Sequence, residues 1–296
     1  MLDALARVWV LPLWTGPVDP KPMLGGLSNQ SYYVEDDGRK FVVRFGRDYP
    51  FHHVFRAREL MTAKAAHTAG FAPRVAHSGP GVQVAEFIDG KTFSGEDVRA
   101  SIGAVAGLIR RFHVEMPYHV SGPAFYFSVF HVIRDYARML REDRYRLSDR
   151  LPAWLQLAEE MERAQIPLPI VFGHNDFIPA NIIDDGERLW LIDFEYSGFS
   201  TAMFDLAGLA SNSGFSEAES DELLALYFGA KPSPEMRRAH DAMQCASLLR
   251  ESMWSLVSEI HLDNPGVDYV TYTQENLDRL AAALDRYQST FGRVMP

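Results

Sequence analysis

Two carboxylates and an amide stand at spacings that suit metal-assisted phosphoryl transfer. The stretch His174-Asn175-Asp176-Phe177-Ile178-Pro179-Ala180-Asn181 places Asp176 five residues before Asn181, and Ile192-Asp193-Phe194-Glu195 places Asp193 twelve residues after it. An aspartate can accept the proton of an attacking hydroxyl. An amide oxygen and a second carboxylate can hold a divalent metal such as Mg²⁺, which prefers hard oxygen donors. Transfer of a phosphoryl group from ATP asks a protein mainly for such positioning and charge compensation. The bare H-x-D-x-x-x-x-N spacing is also what a surface hairpin with ordinary turn residues would carry. The apolar strand that ends in Ile192-Asp193-Phe194 strengthens the metal-site reading.

Those groups need elements that bring them together. Residues 181–184 and 189–192 flank Asp185-Gly186, a hairpin signal that returns the chain and draws Asn181 toward Asp193. Upstream, Ser31–Glu35 and Lys40–Phe45 read as strands joined at Asp36-Asp37-Gly38. A helical pattern follows from about Phe51 to Ala69, then short strands at Arg74–His77 and Val82–Glu86, giving the order β-β-α-β-β. From Ser94 helical patterns dominate, at about Gly95–His113, Val129–Arg141, Pro152–Ala164, Glu217–Phe228, Pro234–His261 and Asp268–Phe291. The boundary falls near Glu86–Gly90. Ahead of the first clear strand, Gly25-Gly26-Leu27-Ser28-Asn29-Gln30 is either a turn or a loop whose backbone approaches phosphate; it is not a Walker sequence.

On these motifs the chain resembles the protein-kinase-like phosphotransferases of small molecules, a group that includes aminoglycoside phosphotransferases and choline/ethanolamine kinases. The resemblance runs from about Leu24 to Val257 and is most specific between Val171 and Asn212. It implies an α+β, bilobal protein-kinase-like fold, with an antiparallel-sheet nucleotide lobe over residues 1–90. A mainly helical lobe over 91–296 would hold the catalytic loop and substrate pocket. It implies ATP and Mg²⁺ as cofactors, Asp176 as the catalytic residue, and Asn181 and Asp193 as metal ligands. Gly25, Gly26, Ser28 and Asn29 would lie over the nucleotide phosphates. Arg44 stands where kinase folds place a strand lysine, with Lys40 as an adjacent alternative and a solvated strand charge as the plain reading. Glu59, the acidic residue of the first helical pattern, would orient Arg44, or else pair on the surface with Arg56 or Lys64. Glu86 and Ile88 fall at the connector where backbone groups would read adenine, and Ile183 and Ile192 could floor the base or simply belong to the core. His174 is read as structural, and Asp205 as a brace of the catalytic loop or a cap of the helix that follows.

For the acceptor, Asp193-Phe194-Glu195-Tyr196, Phe204-Asp205-Leu206-Ala207 and Ser252-Met253-Trp254-Ser255 are similar to choline kinase segments. Trp254 and Tyr196 would face a substrate cation, with Glu195 or Glu251 supplying charge. Glu251 stands where choline kinases carry a second Trp, and a carboxylate there suits a primary or partly substituted amine, or a polyamine, as well as it suits choline. The expected function is an ATP-dependent kinase of a small cationic amino alcohol of choline or ethanolamine type. An aminoglycoside, thiamine or other small-molecule kinase of the same fold is the alternative. A non-catalytic kinase-fold binding module is disfavoured, because Asp176, Asn181, Asp193 and Arg44 are all present.

Composition narrows the class. With 296 residues, 47% hydrophobic and 23% charged, the chain reads as globular, and a net charge of −10 argues against a nucleic-acid surface. A single cysteine, Cys245, excludes an intramolecular disulfide and a cysteine-built zinc site. The apolar opening from Leu2 to Trp14 is interrupted by Asp3 and Arg7 and lacks the marks of a signal peptide; no run approaches a membrane span. The expectation is a cytoplasmic protein without membrane or nucleic-acid partners. A homodimer is one oligomeric state open to it.

Overall fold

Alternation along one strand decides which side chains reach the cleft. The computed structural model describes residues 4–23, 29–122, 125–262 and 267–292. In it, strands β1 (Lys21–Met23), β2 (Gln30–Asp36), β3 (Arg39–Phe45), β4 (Val75–Gly79) and β5 (Val82–Glu86) form an antiparallel sheet in the order β1-β2-β3-β5-β4. The β2–β3 turn has Asp37 and Gly38 at φ 50° and 70°, the pair of positive values that a two-residue hairpin needs. Along β3, Phe41, Val43 and Phe45 are buried behind the sheet, while Val42 and Arg44 line the cleft on its other side. The back of the sheet is covered by Val8 of helix α1 (Ala4–Trp9) and by Leu11, Leu13, Trp14 and Val18. Trp14 meets Phe41 edge-on at 5.6 Å. The apolar opening segment therefore serves as a lid on the strand core.

The helical pattern expected from Phe51 to Ala69 starts later than its apolar residues suggested. Helix α2 spans Arg56–Thr68. Before it, Pro50–His52 make one 3-10 turn, His53 turns left-handed at φ 60°, and Tyr49 and Val54 exchange backbone hydrogen bonds. The pattern expected as one helix from Gly95 to His113 is two: α3 (Gly95–Ala100), opened by a Ser94/Asp97 capping box, and α4 (Ile102–Glu115). Ser101, at φ −128° and ψ 29°, leaves helical geometry and redirects the chain.

The remaining part holds β6 (Lys91–Thr92), α5 (Val129–Glu142), α6 (Leu151–Arg163), β7 (Ile170–Gly173), β8 (Ile182–Asp184), β9 (Leu189–Leu191), β10 (Gly198–Thr201), α7 (Ala202–Ser213), α8 (Glu217–Phe228), α9 (Pro234–His261) and α10 (Tyr269–Phe291). Strands β6, β8 and β9 form a small sheet, and β7 pairs antiparallel with β10. Helix α9 is the axis of the helical core, with α5, α6, α7 and α10 packed on it. No described helix is long and apolar enough to cross a membrane.

Candidate active site

The second hairpin does what its turn signal predicted. Ile182 lies opposite Leu191, and the Ile192 N–H donates to the Asn181 carbonyl at 3.1 Å, so Asn181 and Asp193 emerge side by side. Asn181 Nδ2 donates to the Asp176 carbonyl at 3.0 Å and to Asp176 Oδ2 at 3.2 Å. Asn175 and Asp193 both adopt left-handed backbone, at φ 61° and 64°. That region costs an L-residue roughly 1–2 kcal/mol, and Asn and Asp tolerate it best after Gly. Asn175 is held there by its Nδ2, which donates to the carbonyls of Tyr196 at 3.0 Å and Gly198 at 3.2 Å.

Beneath the loop, Asp205 is 1% exposed and binds it by its backbone. Its carboxylate accepts from the N–H of His174 at 2.8 Å and of Asn175 at 2.7 Å, and meets His113 Nε2 at 2.8 Å. Thr201, not Asp205, caps α7 by accepting from Met203 N–H. His174 is buried with Nε2 at 2.9 Å from the Ile192 carbonyl, tying the loop to the strand that carries Asp193. Gly173 is required in this packing, because a Cβ there would lie 2.4 Å from Ser200 Oγ and 2.7 Å from Asn175 Oδ1.

Environment drives the two aspartates apart. Desolvation, and then the charge of Asp193, push the Asp176 carboxyl well above its ordinary value, with Arg250 opposing. Burial also raises Asp193, but the charge and hydrogen bond of Arg44 outweigh it and hold this carboxyl below the ordinary value. Such divergence is the pattern of a site with distinct roles for two acids.

Arg44 reaches across the cleft. Its Nη1 donates to Asp193 Oδ1 at 2.9 Å, and its Nη2 pairs with Glu59. Glu59, 2% exposed, also accepts from Arg56 Nη1 at 2.6 Å, and Arg56 Nη1 lies 3.2 Å from Glu195 Oε2. Asp193, Arg44, Glu59, Arg56 and Glu195 thus alternate in charge across the site, and Glu59 pairs with both arginines considered for it. Lys40 pairs with Asp89 instead and stands outside the cleft lining. Replacing Arg44 with Met is expected to destabilise the protein by about 2 kcal/mol, below the ~3–5 of a broken buried pair because Arg56 still faces Glu59. Urea denaturation checks this; an unchanged midpoint would show that the pairs contribute nothing net.

The family model described as phosphotransferase enzyme family, APH, matches residues 19–241. The chain belongs to that family. It is similar to Protein LicA of Haemophilus influenzae, at 24% identity over 88% of this chain and 78% of that protein. It is likewise similar to probable choline kinase 1 of Arabidopsis thaliana, at 24% identity over 87% of this chain and 84% of the relative. A solved choline/ethanolamine kinase family protein from Mesorhizobium loti superposes with a TM-score of 0.77 at 28% identity, covering 98% of each chain. The chain is a small-molecule phosphotransferase with choline/ethanolamine kinase-like relatives, and its α+β, protein-kinase-like fold is the one expected.

In this phosphotransferase the lobes enclose a cleft of about 960 Å³, within the usual range for small-molecule sites. Asn29, Arg44, Ile88, Ile183 and Ile192 line it, as do Asp176, Asn181 and Asp193. Gly25, Gly26 and Ser28 lie outside the described residues. Glu86 lines the cleft as well, but its carboxylate accepts from Arg39 at 3.0 Å and Arg74 at 2.7 Å. Its N–H and that of Phe87 bond within the sheet, to the Arg74 and Lys40 carbonyls.

At the other end of the phosphotransferase cleft, Glu195, Tyr196, Glu251 and Trp254 come together. Trp254 is 5% exposed, donates through Nε1 to Tyr196 Oη at 2.9 Å and stacks on His52 at 4.8 Å. Both glutamates offered as cation partners already hold protein partners: Glu195 has Arg56, and Glu251 has Arg250 at 2.8 Å and the Tyr272 hydroxyl at 2.9 Å. Sequence reasoning missed Arg250 and Tyr272. Arg250 precedes Trp254 by four residues, so the two share a helix face, and that spacing could have found it. Tyr272 arrives from α10 by tertiary packing, which leaves no local signal.

The donor set fits a Mg²⁺ ion. Among the described residues no cluster of three or more His, Cys, Asp or Glu forms a self-sufficient cage. Mg²⁺ needs only one or two carboxylates and fills its shell with phosphate and water. Asp193 and the Asn181 amide supply oxygen, and the charge Asp193 exerts on the neighbouring Asp176 is a repulsion that a divalent cation would relieve.

Proposed function

We propose that this phosphotransferase transfers the γ-phosphoryl group of ATP to the hydroxyl of a small amino alcohol of choline or ethanolamine type. The observation that carries the reading is Asn181, bonded to Asp176 and joined through the hairpin to Asp193, facing a wall that carries Tyr196 and Trp254. The similarity to a probable choline kinase supports the acceptor class. Residues 1–90 would hold the nucleotide, with Arg44 steadied by Glu59 to meet its phosphates and Ile183 and Ile192 beneath the base. Residues from 91 onward would supply catalysis and the acceptor pocket. Asp176 orients the acceptor hydroxyl and takes its proton as the new P–O bond forms, and its raised affinity for protons suits it to that task. Asn181 and Asp193 would hold Mg²⁺, which when bound neutralises charge on the phosphates. Tyr196 and Trp254 would border the amine end, each with one face already covered, by Arg250 and by His52.

A panel of choline, ethanolamine, thiamine and kanamycin, read by ADP release with Mg²⁺ and ATP, tests this. An amino alcohol is expected to lead in kcat/KM by about tenfold or more. A lead for kanamycin or thiamine would overturn the acceptor class.

A further inference from the structure

We propose that Arg250 binds a carboxylate on the acceptor, so that the substrate is an amino alcohol that also carries an acidic group; this rests on the kinase reading above. Arg250 is 4% exposed and lines the cleft beside Trp254 and Tyr196. Its Nη1 donates to Glu251 Oε2 at 2.8 Å, and its guanidinium carbon stands 4.5 Å from the centre of the Tyr196 ring. Glu251 and the ring fix the plane of the group. Nε and Nη2 have no hydrogen-bond partner among the described residues. These two N–H groups form one edge of the guanidinium and run parallel, the edge that holds a carboxylate through two bonds at once.

The edge cannot be relieved by deprotonation, because arginine keeps its charge. A buried donor pair left unmade is costly, and native proteins nearly always meet one with an acceptor, from the protein, an ordered water or a ligand. Of the carboxylates around it, Glu251 is engaged by Nη1 and Tyr272 and Glu195 by Arg56, while Asp176 feels its charge but is bonded to Asn181 and makes no hydrogen bond to the guanidinium. The unmet demand at this wall is therefore for an anion. A quaternary ammonium would find here rings already faced by Arg250 and His52, and no free carboxylate in Glu195 or Glu251. Paired anionic oxygens could come from an acceptor carboxylate or from the transferring phosphoryl group. The company of Trp254, Tyr196 and Tyr272 places Arg250 on the acceptor wall, while Arg44 serves the strand side.

Two matched pairs test this: ethanolamine against L-serine, and 3-aminopropanol against L-homoserine, members differing in one carboxylate. Their kcat/KM values are compared in the wild type, Arg250→Lys and Arg250→Gln. The carboxylated member of at least one pair should lead by about tenfold or more, and Arg250→Gln should cut that ratio by about tenfold, with Arg250→Lys between them as the variant that keeps the buried charge. Preference for the uncarboxylated member in both pairs overturns the inference and leaves the kinase reading intact. Equal loss on all acceptors with a raised KM for ATP overturns it too, and assigns the edge to a phosphoryl oxygen. Calorimetric titration of the same four compounds without ATP reads the carboxylate directly. If nothing is phosphorylated, the kinase reading fails, while carboxylate-dependent binding that the Gln variant loses still supports the role of Arg250 and its absence refutes it.

Discussion

Asp176→Asn is expected to lower turnover by about 10²–10⁴-fold, the usual span for loss of a positioned proton acceptor, and at the same time to raise the melting temperature of the nucleotide-free protein. The second effect follows from the first. The carboxyl proposed to take a proton is desolvated and feels the charge of Asp193, so its folded pKa is raised. A raised pKa means the folded state favours the protonated form. The stability linked to that proton is fully present below the unfolded value of about 3.9 and is lost as pH rises through the folded value. The amide of Asn never ionises. The two proteins should therefore melt together at acid pH and separate as pH rises from the ordinary carboxylate range, with the variant the more stable. Asn can still accept from Asn181 Nδ2, so the loop keeps that bond. Scanning calorimetry across pH with parallel ADP-release assays checks both halves. Full turnover in the variant would remove Asp176 from the base role, and a variant less stable at neutral pH would show that the carboxylate is not under electrostatic strain.

The second large effect belongs to Asp205→Ala. Its carboxylate holds the N–H groups of His174 and Asn175 and faces His113, all buried. Truncation strands two backbone donors away from water and leaves His113 without its acid, which should cost about 3–5 kcal/mol. Turnover should fall too, because Asp176 is the next residue along and inherits its position from that loop. Asp205→Asn keeps one acceptor oxygen but turns its amide NH₂, a donor, toward the other N–H, so it should recover only part of the stability. Urea midpoints and kcat measured on folded protein separate the two losses; a stable, fully active Asp205→Ala would mean the loop is held by His174 and Asn175 alone.

How far the site was legible depended on local signals. Asn181 and Asp193 could be paired because Asp185-Gly186 announces a turn and residues either side of it read as strand. Arg44 is singled out by standing where kinase folds place a strand lysine, and the alternation that buries Phe41, Val43 and Phe45 on the other face is what turns it to the cleft. Helix α7 reads in the sequence only as a helix following Asp205, without its start or extent, because Ala202 to Ala210 is buried on every side and has no polar face to mark a period. The β7–β10 pair was hidden for another reason: its strands are four residues each and join segments separated by the whole catalytic hairpin. The partners of Glu195 and Glu251 come from α2, α9 and α10, and no spacing rule in one segment reports on packing between three.

The alternating charges from Asp193 to Glu195 have a consequence for how ligands enter. Arg44 and Asp193 are 149 positions apart in sequence, one on the strand sheet and the other on the far hairpin. The protein thus joins its two lobes through a pair of opposite charges. If nucleotide binds as proposed, its entry would be an exchange and not the filling of a hole: the guanidinium would give up a carboxylate for phosphate oxygens, and the carboxylate would give up a guanidinium for the cation that travels with them. Each charge would then find a new partner as it lost the old one, so opening this clasp would demand little net desolvation.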